Sequence, residues 1–440
     1  MNILFLTMVK MTSLEQRGIY NDLMRKFRDE GHCVYIVTPS ERREGKPTTI
    51  SDIDGAKILS VKTLNVQKTN VIEKGLGQVS IEYLYKRAIH KYFKDVAFDL
   101  ILYSTPPITL MGVVKDMKRK NPQAITYLLL KDIFPQNALD LGMMTEKGLK
   151  GFLYRHFRKQ EINLYKESDY IGCMSPANVK YLLEHNPNID PKRVEVAPNS
   201  ISLTPNPSPE GEGDLKAPEP PKGKRLEIRK KYGLPTDKPI FIYGGNLGKP
   251  QSIPFLIKCL EANKNRTDCH FLVVGTGTYL PMLQDWYQKE LELPSLEGRA
   301  GDRLLQGRAG DRFLSITVMK GLPKDEYDQL VQACDVGLIF LDYRFTIPNY
   351  PSRLLSYLEY KMPIIACTDP NCDMGSIAEE NGYGLWAPSN DVTAFTNAVD
   401  KILQSDIKDM GERGYDFLSK NYLVDNTYNA IMGHAPLAKL

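Results

Sequence analysis

Short apolar runs alternate with amphipathic stretches along nearly the whole chain. In the first half, the runs Ile3–Thr7, Cys33–Thr38, Lys57–Val61, Leu100–Tyr103, Ile125–Leu130, Tyr170–Cys173 and Val194–Ala197 predict strands. Between them, Glu15–Glu30, Ile81–Phe93, Thr109–Lys120, Leu149–Lys166 and Ala177–Glu184 predict helices. Such alternation implies a parallel sheet covered on both faces. The pattern stops at Leu203–Gly223, a stretch too rich in Pro, Gly and Glu to bury a core, which predicts an extended linker. It then restarts. Ile240–Tyr243, Phe271–Val274, Ile316–Lys320, Val336–Ile339, Ile364–Cys367 and Gly384–Trp386 predict strands. Ser252–Ala262, Leu280–Glu290, Lys324–Cys334, Ser352–Tyr360, Val392–Leu403 and Lys408–Asn421 predict helices. An insertion at about 294–313 carries Gly-Arg-Ala-Gly-Asp-Arg twice, at 298–303 and 307–312, and reads as a solvated surface loop.

The expected architecture is α/β, with two doubly wound domains facing each other across a cleft. The boundaries are 1–202, a linker at 203–223, 224–405, and a helical segment 406–440 able to return to the first domain. Ligands in such sheets bind beyond the carboxyl ends of the strands. The chain has 440 residues, 42 % hydrophobic and 25 % charged, enough for a core in each half. A net charge of +4 is too mild to argue for nucleic acid, yet permits contact with an anionic surface. The seven cysteines (33, 173, 259, 269, 334, 367, 372) form no Cys-x-x-Cys pair; most fall next to apolar strands and read as buried thiols of a reducing cytosol. The N-terminal apolar run is too short for a secretory signal and reads as a first strand. No run of 18 apolar residues could span a membrane.

Several segments could carry chemistry. Pro351-Ser352 opens a short predicted helix that Pro363 ends. Ser352 occupies the N-cap position, so backbone amides around Tyr350, Pro351 and Ser352 could hold a phosphate. Strand Ile240–Tyr243 runs into Gly244-Gly245-Asn246-Leu247-Gly248-Lys249, and Phe271–Val274 runs into Gly275-Thr276-Gly277. Glycines let the backbone approach a phosphate and Lys249 could neutralise one; the plainer reading is a pair of tight strand–helix turns. Asp132, just past Ile125–Leu130, could act as a general base, bind sugar hydroxyls, or simply cap a turn. At the first strand–helix loop Ser13, Arg17, Gly18 and Tyr20 could reach a substrate. Asp52-Ile-Asp54 matches a metal-holding tripeptide but precedes Gly55, so a turn is preferred; no His pair has ligand spacing and no metal site is expected. Leu149–Lys166 places apolar residues at 149, 153, 157 and 164 among Lys150, Arg155, Arg158 and Lys159. It could rest on an anionic bilayer, although packing onto its own sheet is the favoured reading.

In this order, Lys131-Asp-Ile-Phe-Pro135, Pro198-Asn199, Gly245-Asn-Leu-Gly-Lys249, Val274-Gly-Thr-Gly277 and Pro351-Ser-Arg-Leu-Leu-Ser-Tyr-Leu-Glu-Tyr-Lys-Met-Pro363 resemble the retaining glycosyltransferases of family 4, closest to the branch that builds bacterial capsular and surface polysaccharides. The resemblance implies a GT-B fold of two Rossmann-like domains, with the acceptor on the first and a nucleotide-diphosphate sugar on the second. Uridine is common in the family, so a UDP-sugar is expected, with no cofactor and no required metal. The acceptor implied is a glycan, lipid-linked through a polyprenyl carrier, at the cytoplasmic membrane face. Asp132 and Lys249 would be catalytic; Gly245, Asn246, Gly248, Gly275, Gly277, Tyr350, Pro351, Ser352, Arg353, Ser356 and Glu359 would bind the donor; Ser13, Arg17 and Gly18 would lie on the acceptor side. The family's pair of Glu residues falls here on Pro348 and Ser356, with Glu359 one helical turn on and sharing a face with Ser356. A nucleotide-sugar 2-epimerase and a non-catalytic nucleotide-sugar-binding component of an assembly complex are the alternative readings.

Overall fold

The computed structural model describes residues 1–65, 71–203, 223–292 and 314–435, with only the backbone described over 71–79. Nearly all of the Pro/Gly-rich linker and both Gly-Arg-Ala-Gly-Asp-Arg copies lie outside the described residues. Fourteen strands are described: β1 Asn2–Leu6, β2 Cys33–Glu41, β3 Thr49–Ile53, β4 Ala56–Thr63, β5 Leu100–Ser104, β6 Ile125–Leu130, β7 Tyr170–Cys173, β8 Val194–Val196, β9 Ile240–Asn246, β10 His270–Thr276, β11 Ile316–Lys320, β12 Val336–Phe340, β13 Ile364–Thr368 and β14 Gly384–Pro388. The α-helices are α1 Ile19–Asp29, α2 Val71–Tyr92, α3 Met111–Lys120, α4 Gln136–Asp140, α5 Gly148–Glu167, α6 Pro176–His185, α7 Lys224–Lys231, α8 Ile253–Asn263, α9 Leu280–Glu292, α10 Lys324–Gln332, α11 Arg353–Glu359, α12 Met374–Glu380, α13 Val392–Gln404, α14 Ile407–Asn421 and α15 Val424–Met432.

Two compact units result. The first holds Met1–Ser202, Thr346–Tyr350 and Asn421–Leu440; the second holds Leu203–Phe345 and Pro351–Lys420. The first sheet runs β3-β4-β2-β1-β5-β6-β7-β8 and the second β11-β10-β9-β12-β13-β14. Every pairing is parallel except β3 with β4. Parallel strands covered on both faces must be apolar throughout. Accordingly, Ile3–Leu6, Phe241–Tyr243, Phe271–Val273 and Ile364–Cys367 are fully buried. Each buried Phe or Leu side chain contributes roughly 1.5–3 kcal/mol of transfer free energy. β3 differs: it is an edge strand with its residues exposed or half-exposed, and it escapes the apolar-run pattern for that reason.

Three features differ from expectation. Helix α2 begins ten residues before Ile81. Cys33 is exposed, whereas the other six cysteines are buried. The segment 406–440 does not act as one piece, because α14 stays with the second unit and α15 joins the first. In the first unit α15 packs on α1: the Tyr428 ring lies 5.0 Å from Phe27, its hydroxyl is 3.1 Å from His32 Nε2, and Asp425 pairs with Lys26 at 2.6 Å.

Candidate functional site

In the second sheet the chain direction of strand order reverses between β9 and β12, and a crevice outside the carboxyl ends of those strands is where doubly wound sheets take ligands. β9 ends in Gly244-Gly245-Asn246. A Cβ on Gly244 would lie 1.9 Å from the Tyr327 hydroxyl, and Gly245 has φ 123°, a conformation that favours glycine. β10 runs beside it with Gly275 opposite Gly245. A Cβ on Gly275 would sit 2.1 Å from the Gly245 carbonyl oxygen, and one on Gly277 would sit 2.3 Å from the Leu247 carbonyl oxygen. The two strand–helix turns are thus packed backbone on backbone, and this packing explains Gly275 and Gly277. Gly245 and Asn246 remain exposed, while Gly248 is buried beside the Asn246 and Gln251 side chains.

Arg353, the first residue of α11, reaches this turn. Its guanidinium lies over the Tyr243 ring at 4.6 Å, and its Cζ is 3.6 Å from the position a Gly245 Cβ would take. Tyr357 accepts the Gly244 N–H and donates to the Ile242 carbonyl, both at 3.2 Å, and the Tyr243 hydroxyl donates to the Asn246 carbonyl at 2.7 Å. These bonds fix the turn. Among the described residues, however, Arg353 Nη1 is buried with no hydrogen-bond partner. An unsatisfied buried donor costs about 1–3 kcal/mol, more when charged, and an anion reaching the Gly245 turn would relieve it. Sequence reasoning missed Tyr243, Tyr327 and Tyr357, which come from three separate elements.

Across the switch point, beyond β12, Asp342 is buried and held by Arg344 through Nε at 2.8 Å and Nη2 at 2.7 Å. The Asp342 N–H donates to the Pro250 carbonyl at 2.9 Å, which brings half-buried Lys249 to this crevice. Burial alone would raise the Asp342 carboxyl; its bonds to Arg344 and the charges of Arg344 and Lys249 hold it below the usual carboxylate range. Lys249, Arg344 and Arg353 thus bring three cations to the strand ends beside the switch point.

The Pro-Ser segment departs from expectation in three ways. Ser352 stands at the N-cap of α11 but is already helical in backbone and makes no side-chain cap bond. Tyr350 belongs to the first unit, where its hydroxyl bonds that of Tyr422 at 2.8 Å, so its side chain is occupied. Glu359 is fully buried while Ser356 is half-exposed, so one helical turn carries the carboxylate inward. Pro348, also in the first unit, contributes a carbonyl to the Asn178 amide at 2.7 Å.

In the first unit Asp132 follows β6. Both its oxygens accept from Asn137 Nδ2 at 2.9 Å, and Thr105 Oγ1, at the end of neighbouring β5, accepts the N–H groups of Lys131 and Asp132. Burial pushes the Asp132 carboxyl up to about 6 against the lowering effect of the Ile133 amide and Asn137. Burial also takes the Lys131 amine, which donates to the Ala197 carbonyl at 2.9 Å, down to about 7. Asp132 therefore titrates where a general base operates. The acceptor-side candidates are engaged locally: Ser13 donates to Asp54 Oδ2 at 2.6 Å, the Gly18 N–H donates to Asp22, and Arg17 is half-buried and partnered. Asp54 sits in the β3–β4 turn and also accepts the Leu14 N–H at 2.9 Å, so it anchors the Ser13 loop. Among the described residues no group of three His, Cys, Asp or Glu gathers at metal-binding distance.

The two sheets match GT-B glycosyltransferase structures, and this is the fold of the chain. Residues 224–417, most of the second unit, match the family model "Glycosyl transferases group 1". A probable glycosyltransferase of Pseudomonas aeruginosa, WbjE, is 22 % identical over 408 residues, covering 92 % of this chain and 89 % of the relative. Among solved structures, a sucrose-phosphate synthase of Thermosynechococcus elongatus has TM-score 0.69 at 14 % identity, covering 98 % of this chain and 97 % of its own. Anabaena HepE in complex with UDP has TM-score 0.62 at 13 % identity, covering 98 % and 99 %.

Proposed function

We propose that this protein is a retaining glycosyltransferase of family 4 that moves a sugar from a nucleotide-diphosphate sugar, a UDP-sugar first, to a glycan acceptor. The observation that carries the reading is the partnerless guanidinium arm of Arg353 at the bare Gly245 turn, inside the segment that matches group 1 glycosyl transferases. As the bond from the anomeric carbon to the diphosphate breaks, negative charge grows on the leaving oxygen. Arg353 and Lys249 stabilise it, and Gly245, Asn246 and Gly248 let the backbone come close. Asp132 takes the proton of the acceptor hydroxyl, held in place by Asn137. The new bond forms on the face the diphosphate leaves. The scheme is proposed to run without a metal ion, Arg353 and Lys249 supplying the positive charge.

The acceptor proposed is a lipid-linked glycan of bacterial surface polysaccharide synthesis, with the protein at the inner face of the cell membrane; the UDP complex of HepE and the probable glycosyltransferase WbjE support the donor class and the reaction class. The test is thermal stabilisation by a panel of nucleotide sugars, followed by donor turnover in Lys249→Ala and Asp132→Ala variants. Near-wild-type turnover in both would sink the roles assigned. A second reading is a binding component without turnover. It is favoured by Pro348 and Ser356, which put no carboxylate where the family carries its Glu pair; donor binding with no transfer to any acceptor would establish it.

A further inference from the structure

Helix α5 buries only the later half of the stripe its sequence suggests: Leu164 is buried and Phe157 half-buried, whereas Leu149 and Leu153 are exposed. Gly151, Glu161, Leu164 and Tyr165 face inward. Leu149, Phe152 and Leu153 are 88 %, 66 % and 44 % exposed, and Met143 in the preceding turn is 47 % exposed. Leu149, Phe152, Leu153 and His156 stand at i, i+3, i+4 and i+7, one continuous outward face. Lys150, Arg155 and Lys159 flank that face and are exposed. From Leu141 to Gln160 the chain carries five Lys or Arg and one acid, Glu146. Among the described residues neither Lys150 nor Lys159 pairs with a carboxylate, and Arg155 is used to hold the Glu146 carbonyl at 2.9 Å.

We infer that the first three turns of α5 are an anionic-membrane docking surface, with Leu149, Phe152 and Leu153 entering the headgroup boundary and Lys150 and Lys159 meeting lipid phosphates. The inference rests on the proposed lipid-linked acceptor and names the surface that would meet its membrane. Charge selects the occupant. Large apolar side chains ringed by cations fit a negatively charged bilayer, where apolar burial and lipid attraction add. A second copy of this chain would bring the same cations against each other. The connection from β6 to α5, which carries Asp132 and α4, ends at this surface.

The test is co-flotation of the full chain with vesicles of phosphatidylcholine, with and without phosphatidylglycerol. Wild type is expected to float with the anionic vesicles only, and less as salt rises. The Leu149→Ser/Phe152→Ser/Leu153→Ser and Lys150→Glu/Lys159→Glu variants are each expected to lose about tenfold or more in partition. Their unfolding temperature should be unchanged, because the substituted side chains are exposed. Absence of wild-type partition, or undiminished partition of the triple variant, would overturn the inference. So would a concentration-dependent dimer that the triple variant abolishes. Stabilisation by nucleotide sugar, read on the same samples, reports the transferase reading separately.

Discussion

At the carboxyl end of β6 the chain places two titratable side chains, Lys131 and Asp132, whereas at the ends of β9 and β10 it places glycines. Both edges belong to parallel sheets wound the same way. The first makes burial tune a carboxyl up to about 6 and an amine down to about 7. The second removes side chains so that two turns can touch, then supplies charge from a guanidinium on another element. One edge is thus suited to moving a proton and the other to meeting a diffuse negative charge. The difference lies in the residues at the strand ends, since the scaffold is common to both.

The largest expected effect tests the proton-handling edge. Asp132→Asn should lower kcat/KM by about 10²–10⁴-fold while leaving stabilisation by nucleotide sugar intact; an unchanged rate removes the base. Next, Gly275→Ala should destabilise the protein by about 1–3 kcal/mol in urea unfolding, because its Cβ meets a backbone oxygen that cannot swing away. An unchanged midpoint would mean that the two turns part easily. Arg353→Met should then weaken nucleotide-sugar binding about tenfold to a hundredfold, with little change in the unfolding temperature of the free protein. Equal losses with and without nucleotide would make the guanidinium merely structural.

The smallest effect is one of pH. Asp132 binds its proton more tightly folded than unfolded, so the cost of burying its charge is complete above about 6 and fades as pH falls toward 4. Asp132→Asn should therefore gain about 1–2 kcal/mol of stability near neutral pH, partial exposure of the carboxyl having been allowed for, and nothing near pH 4. The wild-type rate should fall as pH drops through about 6. Equal stability of the two proteins at neutral pH would show that Asp132 is not desolvated.

The sheets were legible because buried parallel strands leave uninterrupted apolar runs; Ile125–Leu130, Tyr170–Cys173 and Ile316–Lys320 match their observed bounds. β3 was not, because an exposed edge needs no apolar pattern. The early start of α2 was hidden by Gly75 and Gly77, which read as breakers. At the site, the glycine turns were legible from local spacing. The cage of Tyr243, Tyr327 and Tyr357 around Arg353 was not, since it is assembled across more than a hundred positions and no local period marks it. The inward rotation of Glu359 was likewise a matter of which face α11 buries, and a seven-residue helix carries too few residues to reveal it.

The return of α15 to α1 bears on the order in which the chain can fold. Val424 and Ile431 are part of the first unit's core, and the Asp425–Lys26 pair joins residues some four hundred positions apart. During synthesis this flank of α1 stays uncovered until the whole second unit has been made. A nascent chain halted anywhere before Val424 would expose Phe27 and its apolar neighbours, a surface for chaperones to hold. Dividing the protein at its Pro/Gly-rich stretch would leave the same wound, and residues 421–435 added as a separate peptide would be expected to close it.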